Sequence, residues 1–188
     1  RPGQSEADTV AAVRTVCSEL IEMGILPVVI GGGQDLTYPM YMALEPLGLP
    51  ANVVTIDSRL DFGADPGMIT SRNFMNEVIL HEPNFLFDYA NIGHQGYLTD
   101  SDTLELLEKL QFEAHRLGTV HANPTDLEPV LRDADLVSFD LGSIRAADHP
   151  AHCEAGPNGL DALQACQLAR YAGLSDRVKA IGVFEHNP

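Results

Sequence analysis

Five short apolar runs, separated by segments with helical spacing, constrain the fold of this chain more than any other feature. Each run is nearly continuous in aliphatic and aromatic residues, which is typical of strands in a parallel sheet that is covered on both faces. Because the order is repeatedly helix then strand, the sequence predicts an α/β fold with a mainly parallel sheet. The runs are ILPVVIGG, NVVTID, FLFDYANIG, DLVSFDLG and VKAIGVFEHN.

The segments around these runs supply the predicted helices. Residues 5–22 carry apolar side chains near helical spacing, with Ser5 as N-cap and Gly24 as the stop. Residues 58–83 form a long connection that contains one of the shorter helices, and connections of that length often border a functional site. Further helices are predicted within LTYPMYMALEPLG, at residues 74–80 and 101–110, and within NPTDLEPVLRDA and PNGLDALQACQLARYAGLS.

Length and composition favour one folded domain over residues 1–188. A chain of 188 residues with 45% hydrophobic and 20% charged residues is ordinary for a globular protein. It begins with Arg1 rather than Met and stops just after an apolar run, so we expect a piece of a longer protein.

The net charge of the chain argues against two kinds of binding partner. A formal net charge of −16 with only 11 Lys and Arg residues argues against a nucleic acid or an anionic membrane surface. A small cationic substrate remains compatible, and a homo-oligomer stays open. No run approaches the roughly 18 apolar residues of a membrane span.

The three cysteines, Cys17, Cys153 and Cys166, show no disulfide or metal spacing, which favours a cytoplasmic setting. We expect Cys166 to lie in the core.

Acidic side chains follow the predicted strands, at the point where each strand ends. In a parallel sheet, ligands bind outside the carboxyl ends of the strands. Several carboxylates meeting at that edge would repel one another, so we expect a positive charge among them. The residues at these ends are Gln34 and Asp35, Asp57 and Asp61, Asp140, and Glu185.

Four segments at these strand ends resemble the signature motifs of the ureohydrolase superfamily, which includes arginase, agmatinase and formimidoylglutamase. They are GGGQD, IDSRLD, SFDLGSIRAADHP and FEHNP, in the order and approximate spacing of that family, and the similarity runs from about residue 25 to residue 188. The resemblance implies a three-layer α/β/α fold and two manganese ions. It also implies that these ions activate a water molecule to attack an amidine or guanidine carbon.

Compared position by position, the family's metal ligands are only partly kept. Gln34 and Arg59 stand where the family has histidine ligands, and Gly142 stands where it has a second aspartate. Arginine cannot bind a metal, because its guanidinium stays protonated and has no lone pair to give. The resemblance implies metal ligands at Asp57, Asp61 and Asp140 and a substrate-facing Glu185, and it places Met75 where the family has a proton-carrying histidine.

The missing metal charge leads to a hypothesis about Arg59. Its guanidinium would hold Asp57, Asp61 and Asp140 by charge-assisted hydrogen bonds in place of metal. Replacing Arg59 with Met should then cost roughly 3 to 5 kcal/mol of stability. A second hypothesis is a zinc site made from His149, His152, Cys153 and Asp140.

Plainer explanations of these residues stay open. Gly31, Gly32 and Gly33 fit a tight turn, and without a GxGxxG or P-loop pattern phosphate binding is not favoured. Asp57 and Asp61 could cap a helix or face solvent.

Two classes of function remain from the sequence. The first is a hydrolase of linear amidine or guanidine C–N bonds, with Gln34, Asp35, Arg59 and His149 in a changed substrate pocket. The second is a catalytically silent relative that binds a small ligand or a partner chain, with Arg59 replacing the metal charge.

Overall fold

A computed structural model describes residues 5–63, 67–154 and 156–187. Within these ranges the strands form one six-stranded sheet in the order β1-β6-β5-β2-β3-β4, and every neighbouring pair is parallel. The strands are β1 (Val28–Ile30), β2 (Ala51–Ile56), β3 (Leu86–His94), β4 (Glu113–Arg116), β5 (Leu136–Asp140) and β6 (Ala180–Phe184).

Helix α1 (Glu6–Glu22) precedes β1, and the other helices connect successive strands. Two helices, α1 and α7 (Ala162–Gly173), start with a reciprocal capping box. In α1 the Ser5 side chain accepts from the Asp8 N–H, and in α7 the Asp161 side chain accepts from the Gln164 N–H. No helix in the described ranges is long and apolar enough to cross a membrane. The α-helices are α1 (Glu6–Glu22), α2 (Thr37–Met42), α3 (Phe74–Leu80), α4 (Ser101–Leu110), α5 (Leu117–Ala122), α6 (Glu128–Arg132) and α7 (Ala162–Gly173).

Two separate hydrophobic clusters cover the two faces of the sheet. Val53 in β2 packs into the cluster with α1 to α4, whereas its neighbour Val54 packs into the cluster with α5 to α7. Leu136 and Val137 in β5 divide in the same way, because successive side chains of a strand point to opposite faces. The protein therefore has the three-layer α/β/α architecture with a parallel sheet that the sequence predicted.

The edges of the sheet differ from the prediction. The strand β4 was not predicted, since Glu113–Arg116 is mostly polar and pairs with β3 alone among the described strands. The strand β1 is parallel as expected but is not covered on both faces, with Val28 54% and Ile30 77% exposed. Cys166, expected in the core, is exposed on α7.

Candidate active site

The carboxyl ends of four neighbouring strands bring the predicted acidic residues to one edge of the sheet. The register pairs Asp140 of β5 with Phe184 of β6, and Phe139 with Ile56 of β2. Asp57 and Glu185 directly follow Ile56 and Phe184, so they leave the sheet beside Asp140. The parallel topology alone is sufficient to gather these side chains.

We call Asp57, Asp61 and Asp140 the acidic cluster. Asp57 is fully buried, and Asp61 and Asp140 are each 6% exposed. Backbone groups hold two of the carboxylates, since Asp57 Oδ1 accepts from the Arg59 N–H at 2.8 Å and Asp140 Oδ1 accepts from the Gly142 N–H at 2.6 Å. Asp57 Oδ2 is buried and receives no hydrogen bond from any described residue. A buried acceptor without a partner is costly unless a proton or a ligand supplies one.

Burial and mutual repulsion favour the protonated forms of the acidic cluster. Burial, followed by the charge of Asp61, raises the pKa of Asp57 well above its usual range. Burial and then the charge of Asp57 do the same to the pKa of Asp140. For Asp61, burial is again the main cause, and its pKa rises to about 7. The site thus carries more negative potential than the surrounding protein neutralises, so it favours a proton or a cationic ligand.

Glu185 and Gln34 meet at a second corner of the same edge. Glu185 Oε1 accepts from the Gln34 backbone N–H at 2.9 Å, and the Gln34 side-chain amide donates to Ser138 Oγ at 3.2 Å. A Cβ at Gly33 would lie 2.2 Å from Asp35 Oδ1 and 3.3 Å from Glu185 Oε1, so both carboxylates approach the turn closely at this glycine. The structure therefore brings Gln34, Asp35 and Glu185 together.

The hypothesis that the guanidinium of Arg59 holds the acidic cluster by hydrogen bonds is wrong. Only the backbone N–H of Arg59 bonds to Asp57. Its guanidinium is directed to Glu154, with Nη2 3.9 Å from Glu154 Oε2 and a side chain 33% exposed. The charge of Arg59 still lowers the pKa of Asp61, as a smaller effect that follows burial and the neighbouring carboxylates.

The histidine loop lies at the same end of the sheet but does not form the expected zinc site. His149 Nε2 lies 3.3 Å from His186 Nδ1, and His152 Nε2 packs against Gly142. Within the described parts of the chain, no three His, Cys, Asp or Glu side chains are placed to hold a metal ion. The set of His149, His152, Cys153 and Asp140 is therefore not assembled.

Met75, which the resemblance places at the position of a proton-carrying histidine, is fully buried in the hydrophobic core. A buried thioether cannot carry protons to or from a substrate. Any acid or base at this site must come from another residue.

Sequence reasoning did not identify Arg72 and Glu154 as residues of the site. Both line a cavity of about 350 Å³ that is also lined by Arg59 and Asp61. An adjoining cavity of about 150 Å³ is lined by the same two arginines, Glu154 and Asp140. The segment SRNFM contains Arg72, but nothing in its pattern indicates which way that side chain points.

Comparison with known proteins agrees with the fold. Formimidoylglutamase from Geobacillus kaustophilus is 25% identical over 180 residues, which cover 91% of this chain and 55% of that protein. The structure of Trypanosoma cruzi formiminoglutamase with Mn²⁺ superposes with a TM-score of 0.90 at 21% identity, covering 99% of this chain and 65% of that one. A quadruple mutant of the Trypanosoma brucei arginase-like protein superposes with a TM-score of 0.78 at 19% identity, covering 99% and 58%.

This chain thus spans less than two thirds of the length of these relatives. Across that span the solved structures share the parallel α/β fold of this chain. The model of the arginase family matches residues 2–188, almost the whole chain, and the protein belongs to that family.

Proposed function

We propose that this chain carries the core of a divergent arginase-family hydrolase that acts on C–N bonds of linear amidines or guanidines, with formimidoylglutamase as the reference relative. The observation that carries the proposal is the acidic cluster: three buried carboxylates at the carboxyl edge of the sheet, beside a cavity of about 350 Å³. An amidinium is planar and cationic, and it donates several N–H groups. Such a ligand suits carboxylates that lack positive partners.

The acidic cluster would bind and orient the amidinium by charge-assisted hydrogen bonds. Asp57 Oδ2 is the first candidate acceptor, because it is buried and unpartnered among the described residues. The bound positive charge makes the amidine carbon electrophilic, and a carboxylate of the cluster would take a proton from the attacking water and give it to the leaving amine nitrogen as the C–N bond breaks. Glu185, fixed by the Gln34 N–H, would face the substrate from the second corner of the edge.

The described residues do not fit a two-manganese centre. The Gln34 amide donates to Ser138, the Arg59 guanidinium turns to Glu154, and Gly142 has no side chain. We derive no catalytic step through manganese. Asp57, Asp61 and Asp140 are of the ligand type that suits manganese, but as described they are not placed around one ion, so ligation of a single divalent cation would require their side chains to move closer together.

The Trypanosoma brucei variant suggests a way to test metal binding. In that variant one arginine is changed to histidine and three serines are changed to aspartate, and the arginine lies two positions from each of two of those serines. Asp57, Arg59 and Asp61 have the same spacing. We expect Arg59→His to bind more manganese than the parent by elemental analysis, and equal contents would contradict the proposed ligand position. Gly142→Asp is a poorer choice, because a Cβ there would lie 2.7 Å from His152 Nε2.

A catalytically silent relative is the second candidate. The observation that favours it is the loss of both histidine ligands, at Gln34 and Arg59. In that case the acidic cluster would bind an amidine or guanidine without hydrolysing it.

Turnover separates the two candidates. Protein purified without chelator would be analysed for metals. It would then be assayed for urea or formamide release from arginine, agmatine and N-formimidoyl-L-glutamate, with and without added Mn²⁺. We expect formamide release that Asp140→Asn abolishes. No turnover on any of the three substrates, with Mn²⁺ present and the full-length protein folded, would contradict the hydrolase and leave the silent relative.

We also propose a cytoplasmic setting, because Cys17, Cys153 and Cys166 are all free.

A further inference from the structure

A further cavity lies at the edge of the sheet where the strands begin, opposite the acidic cluster. It has a volume of about 440 Å³, and its lining includes Ala51 at the start of β2, Asp135 directly before β5 and Lys179 directly before β6. The candidate active site lies at the other ends of these three strands. Strands β5 and β6 each have five residues, a length of about 17 Å, so the two sites are separate. We call this space the amino-edge cavity.

Apolar side chains form most of the wall of the amino-edge cavity. They are Leu44, Leu47, Leu49, Pro50 and Phe87. Two of them remain largely open to solvent, with Leu49 62% and Phe87 72% exposed. Large apolar side chains that are exposed around one concavity mark a binding site, whereas single exposed ones do not. The volume also lies within the roughly 300 to 1,000 Å³ of small-molecule sites.

The charged residues of this lining are not all paired. Asp135 Oδ2 accepts from the Asn52 N–H at 2.9 Å and from Arg177 Nη2 at 3.2 Å, so its charge is compensated. The Lys179 backbone N–H donates to the Asp135 carbonyl at 2.7 Å, which fixes this residue at the cavity. Its ammonium group has no hydrogen-bond or ion-pair partner among the described residues. Asp176, the other acidic lining residue, is exposed, so water and salt screen its charge.

A ligand that matches this lining has an apolar body and one anionic end. Its apolar body would cover the exposed leucine and phenylalanine side chains and remove their surface from water. Its anionic end would give the Lys179 ammonium a charge-assisted hydrogen bond. A neutral ligand would leave that ammonium unpaired, and a cationic ligand would be repelled by it.

We propose that the amino-edge cavity binds a small amphipathic anion, a carboxylate that carries a medium-length alkyl chain or an aromatic ring, and that Lys179 binds the carboxylate. This inference goes beyond the proposed function and does not rest on it, because no residue of the acidic cluster lines the amino-edge cavity.

Isothermal titration of the full-length protein with three eight-carbon probes tests the site. Octanoate, 1-octanol and octylammonium share one alkyl chain and differ in the charge at its end, and each is used below the concentration at which it aggregates. We expect octanoate to bind about fivefold more tightly than 1-octanol, which is the upper range for a partly exposed ion pair. Octylammonium should bind more weakly than 1-octanol, even though the chain has a net charge of −16.

Two variants and their matched controls assign the site. Lys179→Gln should lower the affinity for octanoate to that for 1-octanol and leave 1-octanol unchanged. Lys109→Gln, which removes the other lysine of the sequence from α4, should bind both probes like the parent. Phe87→Ala should weaken both probes at least about threefold, because it removes an apolar wall. Leu163→Ala, at a similarly exposed side chain on α7, should weaken neither. Circular dichroism checks that each variant is folded.

Equal affinities of the folded parent for octanoate and 1-octanol, or no loss in Lys179→Gln, would overturn the assignment of the anion to Lys179. No binding of any probe would overturn the site. If the parent then sediments as an oligomer that Phe87→Ala dissociates, the cavity is an interface between copies of the chain instead. Asp140→Asn should bind octanoate like the parent whether or not the parent hydrolyses amidines. A loss of octanoate binding in that variant would contradict the amino-edge site and leave the proposed hydrolase untouched.

Discussion

Replacement of Arg59 with Met distinguishes an arginine that holds the acidic cluster from one that pairs at the rim of a cavity. The Met side chain keeps most of the aliphatic length and the backbone N–H that bonds to Asp57, so the change removes the guanidinium alone. In the structure that group lies 3.9 Å from Glu154, and the two side chains are 33% and 56% exposed. Exposed pairs of this kind contribute about 0.2 to 1 kcal/mol.

We therefore expect Arg59→Met to lower the free energy of unfolding by less than about 1 kcal/mol, rather than by the roughly 3 to 5 kcal/mol of a broken buried ion pair. Urea denaturation in the presence of chelator, followed by circular dichroism, measures the difference. Arg145→Met serves as the control, because it removes another partly exposed arginine paired with a carboxylate. A loss of 3 kcal/mol or more for Arg59→Met, with little change for the control, would refute this reasoning and restore the guanidinium as the partner of the acidic cluster.

Three further predictions concern the buried groups. The carboxyl of Asp61 has a pKa of about 7 in the fold against 3.8 when unfolded, so the native state binds more protons between these values. In the presence of chelator, the free energy of unfolding should therefore fall as pH rises through this window. The fall should be smaller in Asp57→Asn. Urea midpoints at pH 5 and pH 8 would measure both. Asn91→Leu should cost about 1 to 3 kcal/mol in urea denaturation, because the backbone carbonyl of Arg59, between Asp57 and Asp61, loses the hydrogen bond from the Asn91 amide. Leu168→Ala should cost about 2 to 5 kcal/mol in the core, whereas Leu163→Ala on the same helix, at a side chain 77% exposed, should cost almost nothing.

The sequence predicted most of the fold because most of it follows local rules. The helix α4 at Ser101–Leu110 and the helix α3 at Phe74–Leu80 agree with their predicted ranges. The edge strand Glu113–Arg116 could not be predicted in the same way, because it lies at the edge of the sheet and three of its four side chains are polar. Hydrophobic patterns report burial, and an edge strand has little of it.

The candidate site, too, could be predicted from the sequence only in part. That Asp57, Asp140 and Glu185 lie at one edge follows from parallel topology. The direction of the Arg59 side chain does not follow from topology, since a long flexible side chain could bring its guanidinium to either the acidic cluster or Glu154. Glu154 is distant in the sequence, and only the folded loop before α7 brings it to Arg59. Side-chain pairing of this kind depends on tertiary structure that no local pattern encodes.

The most direct test of the account is the hydrolysis of N-formimidoyl-L-glutamate by the full-length protein. Formamide and glutamate would be quantified from the same reaction, for the parent and for Asp140→Asn, with and without Mn²⁺. We predict equimolar formamide and glutamate from the parent and neither product from Asp140→Asn. Release at the same rate by both proteins, or by neither, would contradict the claim that the acidic cluster is the active site of an amidine hydrolase.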